Sequence, residues 1–279
     1  MPAVFLNDRC LLRITGADAE SFLQNLITTD LGGLSADEAR PGALLTPQGK
    51  IMFDFTIWRD GDGFVIETDA GQSEALLKRL TMYRLRAAVE IEAADQQGVT
   101  VAWDDNGTDG YADSRFARAG VTLRRLEGAH GSDAVEAYHA ARIAAGVPAS
   151  GVDFALQDAF PHDVLMDFNG GLSFRKGCYV GQEVVSRMQH RGTARRRLVL
   201  VSADLDLPET GTPIVANGKP IGTLGSVAGK HGLAIVRIDR AGEAMAGDTP
   251  IMVAAVAVTL TLPAWSGLAF PTSADEATA

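Results

Sequence analysis

Between Ala43 and Thr68 apolar and polar residues alternate with the period of antiparallel strands, and two turn sequences, Pro47-Gln48-Gly49 and Asp60-Gly61-Asp62-Gly63, interrupt the alternation. Two consecutive hairpins are therefore expected, and they constrain the fold more than any other stretch. On either side lie helical patterns: Phe22, Leu23, Leu26 and Ile27 share one face after Gly16 and Asp18, and Leu76, Leu77, Leu80 and Tyr83 recur at helical spacing between Gln72 and Arg86. Strand patterns return at Cys10–Ile14 and Val89–Glu92. Helix and antiparallel sheet are thus interleaved without regular strand-helix-strand units. With no G-x-G-x-x-G or P-loop sequence, a nucleotide-binding doubly wound sheet is disfavoured and an α+β class is expected.

Further along, a helix is expected over 132–145, stopped by Gly146 and Pro148, and another over 181–189. A compositional break at Arg195-Arg196-Arg197 separates this region from runs near Leu198–Ser202, Pro213–Val215, Lys219–Val227, Leu233–Ile238 and Ile251–Leu262, which read as strands of a small all-β domain. Boundaries at 1–195, 196–268 and a small, polar, disordered tail at 269–279 follow.

Composition narrows the function classes. The 279 residues are 46% hydrophobic, enough for a large core without staples, and two cysteines, Cys10 and Cys178, are too few for a disulfide framework, so a reducing compartment is the simpler reading. Ile251–Leu262 is shorter than the roughly 20 residues a membrane helix needs, and the amino-terminal residues lack the basic and apolar pattern of a secretory signal. A formal net charge of −10 argues against broad attraction to nucleic acid or to acidic membranes. A small anionic ligand stays compatible, because a few local cations outweigh the distant field inside a cleft.

The segment with most chemistry is Lys176-Gly177-Cys178-Tyr179-Val180-Gly181-Gln182-Glu183. Gly177 and Gly181 bracket it and allow close approach of backbone to a ligand. Glu183 and Arg187 sit at i and i+4, where they can pair. Cys178 is placed just before a helix N-terminus, whose field favours thiolate, with Lys176 adding to that bias. A lone cysteine is ordinarily a small buried hydrophobe, but Lys, Tyr, Gln and Glu crowded around two glycines make a better pocket wall than core piece.

This octapeptide resembles the signature of the folate-binding YgfZ family, relatives of the glycine cleavage system T-protein, a folate-dependent aminomethyltransferase. The likeness extends to Gly170-Gly171-Leu172-Ser173-Phe174, Phe22-Leu23-Gln24, Thr28-Thr29-Asp30 and Thr46-Pro47-Gln48-Gly49-Lys50, and covers most of residues 5–200. It implies T-protein-like α+β subdomains with antiparallel sheets around a central cavity that accepts tetrahydrofolate or a derivative, followed by a carboxy-terminal β-barrel. It further implies a folate-binding accessory role in assembly or repair of iron-sulfur clusters, including those of tRNA-methylthiolating enzymes. Cys178 would be the key thiol, and Lys176, Tyr179, Gln182, Glu183, Arg187, Gln48 and Lys50 would shape the folate site. The partners implied are iron-sulfur proteins or cluster-assembly factors, met transiently, and folate itself, with no direct nucleic acid and no membrane. The location implied is the cytoplasm, or the mitochondrial matrix in a eukaryote, although no transit peptide is evident. Rival readings are a true aminomethyltransferase and a folate-binding module without chemistry.

Cluster chemistry has an independent bound, since clusters are commonly held by about four cysteine thiolates and this chain has two. Any cluster contact must be shared with a partner. The histidines, His130, His139, His162, His190 and His231, show no metal-ligand spacing, so no stable metal site is expected. Arg187, Arg191, Arg195, Arg196 and Arg197 form a local basic run suited either to folate's carboxylates, to an acidic partner, or to solvent.

Overall fold

The computed structural model describes residues 2–95, 98–103 and 109–271, which fall into two compact units. One comprises Met1–Tyr138 with Asn169–Gln182, and the other His139–Phe168 with Glu183–Ala279.

The first unit runs β1 (Ala3–Leu6), β2 (Arg9–Thr15), α1 (Ala19–Gln24), β3 (Glu38–Leu45), β4 (Ile51–Asp60), β5 (Gly63–Asp69), α2 (Ala70–Arg84), β6 (Glu90–Ala93), β7 (Val99–Trp103), β8 (Tyr111–Asp113), α3 (Ser114–Arg118) and β9 (Leu123–Glu127). Both expected hairpins are present: β3 pairs with β4 and β4 with β5, antiparallel, and the Asp60↔Gly63 pair leaves Gly61-Asp62 as the second turn. Alternation along β4 sends Phe53, Phe55 and Ile57 into a core with Leu12, Ile14, Phe64 and Ile66, sealed by Phe22 and Leu23 of α1 and Leu76 and Leu80 of α2. Asp69 caps α2, its carboxylate accepting from Gly71 N at 2.8 Å.

Among the described residues the nine strands follow the order β1-β7-β9-β8-β3-β4-β5-β2-β6. Every neighbouring pair is antiparallel except β3 and β8, which run parallel and meet at two residue pairs, Glu38↔Ala112 and Ala39↔Asp113. Two antiparallel halves are thus joined by a short parallel seam.

The second unit contains the closed barrel β10-β13-β12-β11-β14-β15, built from β10 (Arg196–Ala203), β11 (Pro213–Ala216), β12 (Lys219–Ala228), β13 (His231–Arg237), β14 (Ile251–Val253) and β15 (Val256–Thr261). The all-β reading of this region holds, with two differences. The apolar run Ile251–Leu262 is two strands, not one, because Ala254 at φ 51° turns the chain back. A further helix (Ile238–Ala246) between β13 and β14 carries Ile238, Ala241 and Ala244 into the barrel core with Val199, Leu224, Val236 and Leu260. Small residues at helical spacing, rather than the large apolar ones that mark the other helices, hid it.

The helix expected at 132–145 is Val135–Ala145, ended by Gly146 at φ 69°. Its Arg142 reaches the buried Asp153, Nη1 to Oδ2 at 2.9 Å, while Asp153 also accepts from Ala149 N at 2.8 Å and Ser226 N at 2.7 Å. A Cβ on Gly225 would lie 2.4 Å from Asp153 Oδ1, so only glycine lets strand β12 come this close. These bonds fix the segment before residue 168 onto the barrel. Of the tail, Thr272–Ala279 lies outside the described residues.

Candidate functional site

The loop from Asn169 to Gln182 is tied to the first unit by donors and acceptors that leave little of its backbone free to wander. Ser173 N donates to Thr28 O at 2.9 Å, and Thr28 Oγ1 donates to Gly171 O at 2.6 Å. Lys176 points inward: it is 8% exposed, and Nζ donates to Ile27 O at 2.8 Å and to Thr29 O at 2.6 Å. Burial pushes its amine down to about 8, with Asp30 opposing the shift. Tyr179 is buried as well, its hydroxyl donating to Ser173 O at 3.0 Å and its ring centroid 5.4 Å from the Lys176 ammonium. Burial raises the phenol above its ordinary range. Between these two anchors Gly177 and Cys178 are exposed. The loop therefore holds its flanks in the core and presents one sulfur outward.

Gly181 takes φ +79°, and a Cβ there would sit 2.5 Å from Thr46 O, 3.0 Å from Leu45 Cβ and 3.2 Å from Gly49 Cα. Its close approach is to the β3–β4 hairpin, so glycine is required by packing of backbone on backbone. That contact brings the loop beside the hairpin carrying Gln48, exposed at the tip, and Lys50, half-buried. The motifs scattered along the sequence converge here. Thr28 N donates to Ala43 O and Thr28 Oγ1 accepts from Ala43 N, while Gln24 Nε2 donates to Asp30 Oδ1 and Gln24 Oε1 accepts from Leu31 N. Phe22-Leu23-Gln24, Thr28-Thr29-Asp30, the hairpin turn and the loop are consecutive supports of one another.

Cys178 lies four residues ahead of Gln182, the first residue of helix Gln182–His190, and so outside the first turn, where the field of a helix end is concentrated. Glu183 and Arg187 belong to the second unit, exposed on this helix and paired with each other at 2.8 Å. The basic run is largely engaged there. Arg197 is 7% exposed, its Nη1 donating to Asp167 at 2.8 Å and to His162 O at 2.7 Å, and Arg196 pairs with Asp158 at 3.3 Å. His162 is fully buried beside it, its Nε2 3.2 Å from Gln189 Oε1, and burial together with the Arg197 charge pushes the imidazole down to about 4.

Sequence reasoning missed a buried charge cluster on the face of β4 and β5 that turns away from the core. Arg125 of β9 is 2% exposed and grips Glu67 at 2.6 Å and Asp113 at 2.7 Å. Arg9 and Arg115 add ion pairs to the same two carboxylates at 2.8 and 2.7 Å. Burial alone would raise both carboxyls, but the arginines overcome it and hold them below the usual range. Thr56, the cross-strand partner of Glu67, and Trp58 lie on the same face, and Thr56 Oγ1 and Trp58 Nε1 are buried without a hydrogen-bond partner. The available signal was a charge in an apolar strand, Glu67 after Phe64-Val65-Ile66 and Arg125 after Leu123. Among the described residues no three His, Cys, Asp or Glu side chains cluster so as to hold a metal, and no helix is long and apolar enough to cross a membrane.

The architecture is that of the T-protein class. It superposes on the glycine cleavage system aminomethyltransferase T from Bartonella henselae with a TM-score of 0.71, over 94% of this chain and 85% of that one, at 15% identity. Residues 195–268 match the model of the CAF17 C-terminal beta-barrel domain. In sequence the chain is 30% identical to the human mitochondrial iron-sulfur cluster assembly factor IBA57, covering 83% of this chain and 76% of that protein. It is also 30% identical to the tRNA-modifying protein YgfZ of Shigella dysenteriae, over 74% of this chain and 73% of that one. A Pyricularia oryzae IBA57 homolog is 31% identical across 70% of this chain, which spans 55% of that longer protein. The chain belongs to the YgfZ and IBA57 family.

Proposed function

We propose that this chain is a folate-binding accessory protein in the assembly or repair of iron-sulfur clusters, and that Cys178 is the thiol it offers. The observation that carries the reading is the construction of the loop: Lys176 and Tyr179 are locked inward while Cys178 alone among them faces solvent. With two cysteines in the chain, one sulfur can complete a ligand set or exchange with another thiol only when a partner supplies the rest. Iron-sulfur proteins or cluster-assembly factors are the partners this implies, in keeping with the names of the relatives. The cytoplasm or the mitochondrial matrix, where thiols stay reduced, suits such a role.

Tetrahydrofolate or a derivative is the small molecule assigned to the first unit. The donor set there fits the group. The Asp54 carboxylate, half-buried beside Gln72 Nε2 at 3.3 Å, can accept from the amino and ring N–H groups of a pterin, and the Gln48 amide and Lys50 ammonium can donate to carboxylates of the folate tail. When bound, the pterin would supply a carrier for a one-carbon unit.

Calorimetric titration with tetrahydrofolate on the wild type and on Cys178→Ala, beside complementation of cells lacking the chain, tests both halves. Equal folate affinity in the two proteins with failed recovery of cluster-enzyme activity by Cys178→Ala is the expected pair of results. Absence of binding heat removes the folate assignment, and full recovery by Cys178→Ala removes the thiol assignment. Arg187→Ala in the same titration asks whether the exposed Glu183–Arg187 pair takes part.

A further inference from the structure

Helix α2 seals the first unit's core with Leu76 and Leu80, and its opposite side bears a surface that folding does not explain. Lys78 and Met82 face solvent one turn apart, Met82 being 60% exposed. Leu85, which terminates the helix, is 89% exposed and sits at φ 45°, ψ −103°. Glycine or asparagine ordinarily fills a helix-ending position with positive φ, because a side chain there strains the backbone. A large apolar side chain placed in water on a strained backbone is two unfavourable choices at one residue.

The charge around Leu85 is mainly basic, the carboxylate beside the following turn being Asp18, whose Oδ2 accepts from Ala88 N at 2.8 Å. Lys78, Arg84 and Arg86 are exposed and Arg79 half-exposed. Among the described residues the ion pairs include none of these four, and the Arg84 guanidinium makes one long contact, to Val89 O at 3.4 Å. Glu74, one turn before Lys78, is the acidic residue on this side of the helix. Glu90 and Glu92 of the adjacent β6 flank Ile91, which packs into the core below α2, so strand alternation turns both carboxylates to the other face. In a chain with 35 acidic and 25 basic side chains, four cations around two exposed apolar groups form a patch opposite in sign to the molecule that carries it.

We propose that the end of α2 is a docking surface for an acidic protein segment that contributes an apolar contact to Leu85 and Met82. Charge complementarity selects the occupant's sign, and the two side chains fix its register as anchors surrounded by a polar rim. An anionic membrane is disfavoured because two apolar side chains give little insertion and the net charge of −10 is repelled by the surface. Single-stranded nucleic acid would call for an exposed aromatic to stack on, whereas Tyr83 packs against the core.

The test uses the full chain and a fluorescein-labelled amphipathic peptide of glutamate and leucine at helical spacing, read by anisotropy at about 0.05 M and about 0.15 M salt. Its lysine-leucine counterpart serves as control. Binding of the acidic peptide to the wild type should weaken at least about tenfold in Leu85→Asn and in the double variant Arg84→Glu, Arg86→Glu. Leu85→Gly, which suits a backbone at φ 45° and ψ −103°, is run beside Leu85→Asn and should keep or raise Tm while binding as weakly, so loss of binding cannot be laid to misfolding. The proposal is overturned if the wild type does not bind the acidic peptide, if the variants bind it as the wild type does, or if the basic peptide binds equally. It is also overturned if phosphatidylglycerol vesicles or single-stranded RNA bind more tightly than the acidic peptide through the same residues.

Discussion

Replacing Lys176 by methionine isolates the role of the buried amine that holds the signature loop. Methionine keeps the length of the stem and the apolar contact with the Tyr179 ring, but it takes donors away from Ile27 O and Thr29 O, both inside the first unit. An acceptor left unpaired in the interior costs about 1–3 kcal/mol, and the relief of no longer burying an ammonium offsets part of the sum for two. The net loss expected is about 2–4 kcal/mol. With a urea m-value of about 1–3 kcal/mol/M, that lowers the midpoint of the first unit's transition by on the order of 1–2 M. A local readout accompanies the global one. Tyr179 is 6% exposed in the folded loop, and chymotrypsin should cleave beside it at least about tenfold faster in the variant, because opening of the loop becomes cheaper. The amine also has a pH signature. Its folded value near 8 lies below the ordinary 10.5, so between those values the folded state holds fewer protons than the unfolded one, and stability rises with pH across that window. The wild type should show this rise and Lys176→Met should lack it. A variant with unchanged midpoint, unchanged cleavage and the same alkaline profile would refute the claim that Lys176 anchors the loop.

Three further outcomes follow from the same reasoning. Gly181→Ala puts a methyl 2.5 Å from Thr46 O on a backbone with φ +79°, and should lower stability by about 2 kcal/mol or more while weakening tetrahydrofolate binding, measured by urea titration and calorimetry. Arg125→Met removes the cation shared by the buried Glu67 and Asp113, leaving each with a single arginine, Arg9 and Arg115 respectively, and should cost about 3–5 kcal/mol at pH 7, a loss that shrinks as the pH falls and the carboxyls protonate. His162, held near 4 when folded against an ordinary 6.5, makes the unfolded state the better proton binder below about pH 6.5, so stability falls from there toward pH 4. His162→Gln should flatten that segment of the profile in thermal melts taken across it.

Local chemistry that repeats within a few residues was legible in the sequence. The hairpin turns at Pro47-Gln48-Gly49 and Gly61-Asp62, the helix over Leu76 and Leu80, and the β-rich carboxy-terminal region all declare themselves by period and turn residues. The signature loop stood out because so many functional groups share eight residues. What stayed hidden depends on contacts between distant positions. Nothing near Lys176 in sequence says that its amine will end on the carbonyls of Ile27 and Thr29, nor that Gly181 is a glycine because a hairpin backbone lies against it. Glu67 and Arg125 are 58 residues apart and each looks like an ordinary strand charge until the sheet brings them together. The segment His139–Phe168 precedes the signature loop yet clusters with the barrel, held by Asp153, and no compositional break marks that allegiance.

The parallel seam between β3 and β8 is two residue pairs deep, as is the antiparallel β8–β9 ladder on one side of it, while the β3–β4 ladder on the other side and the β7–β9 ladder beyond are antiparallel and longer. The β3–β4, β4–β5 and β8–β9 pairs on either side can therefore zip by local diffusion before the seam closes, because short loops form sooner than crossings between remote strands. Glu67 belongs to one half and Arg125 to the other, so their ion pair is made late, and a chain halted before that step exposes both charges to water. Deuterium should accordingly reach the amides of Ala39 and Ala112 sooner than those in the middle of β4, marking the line along which the sheet first comes apart.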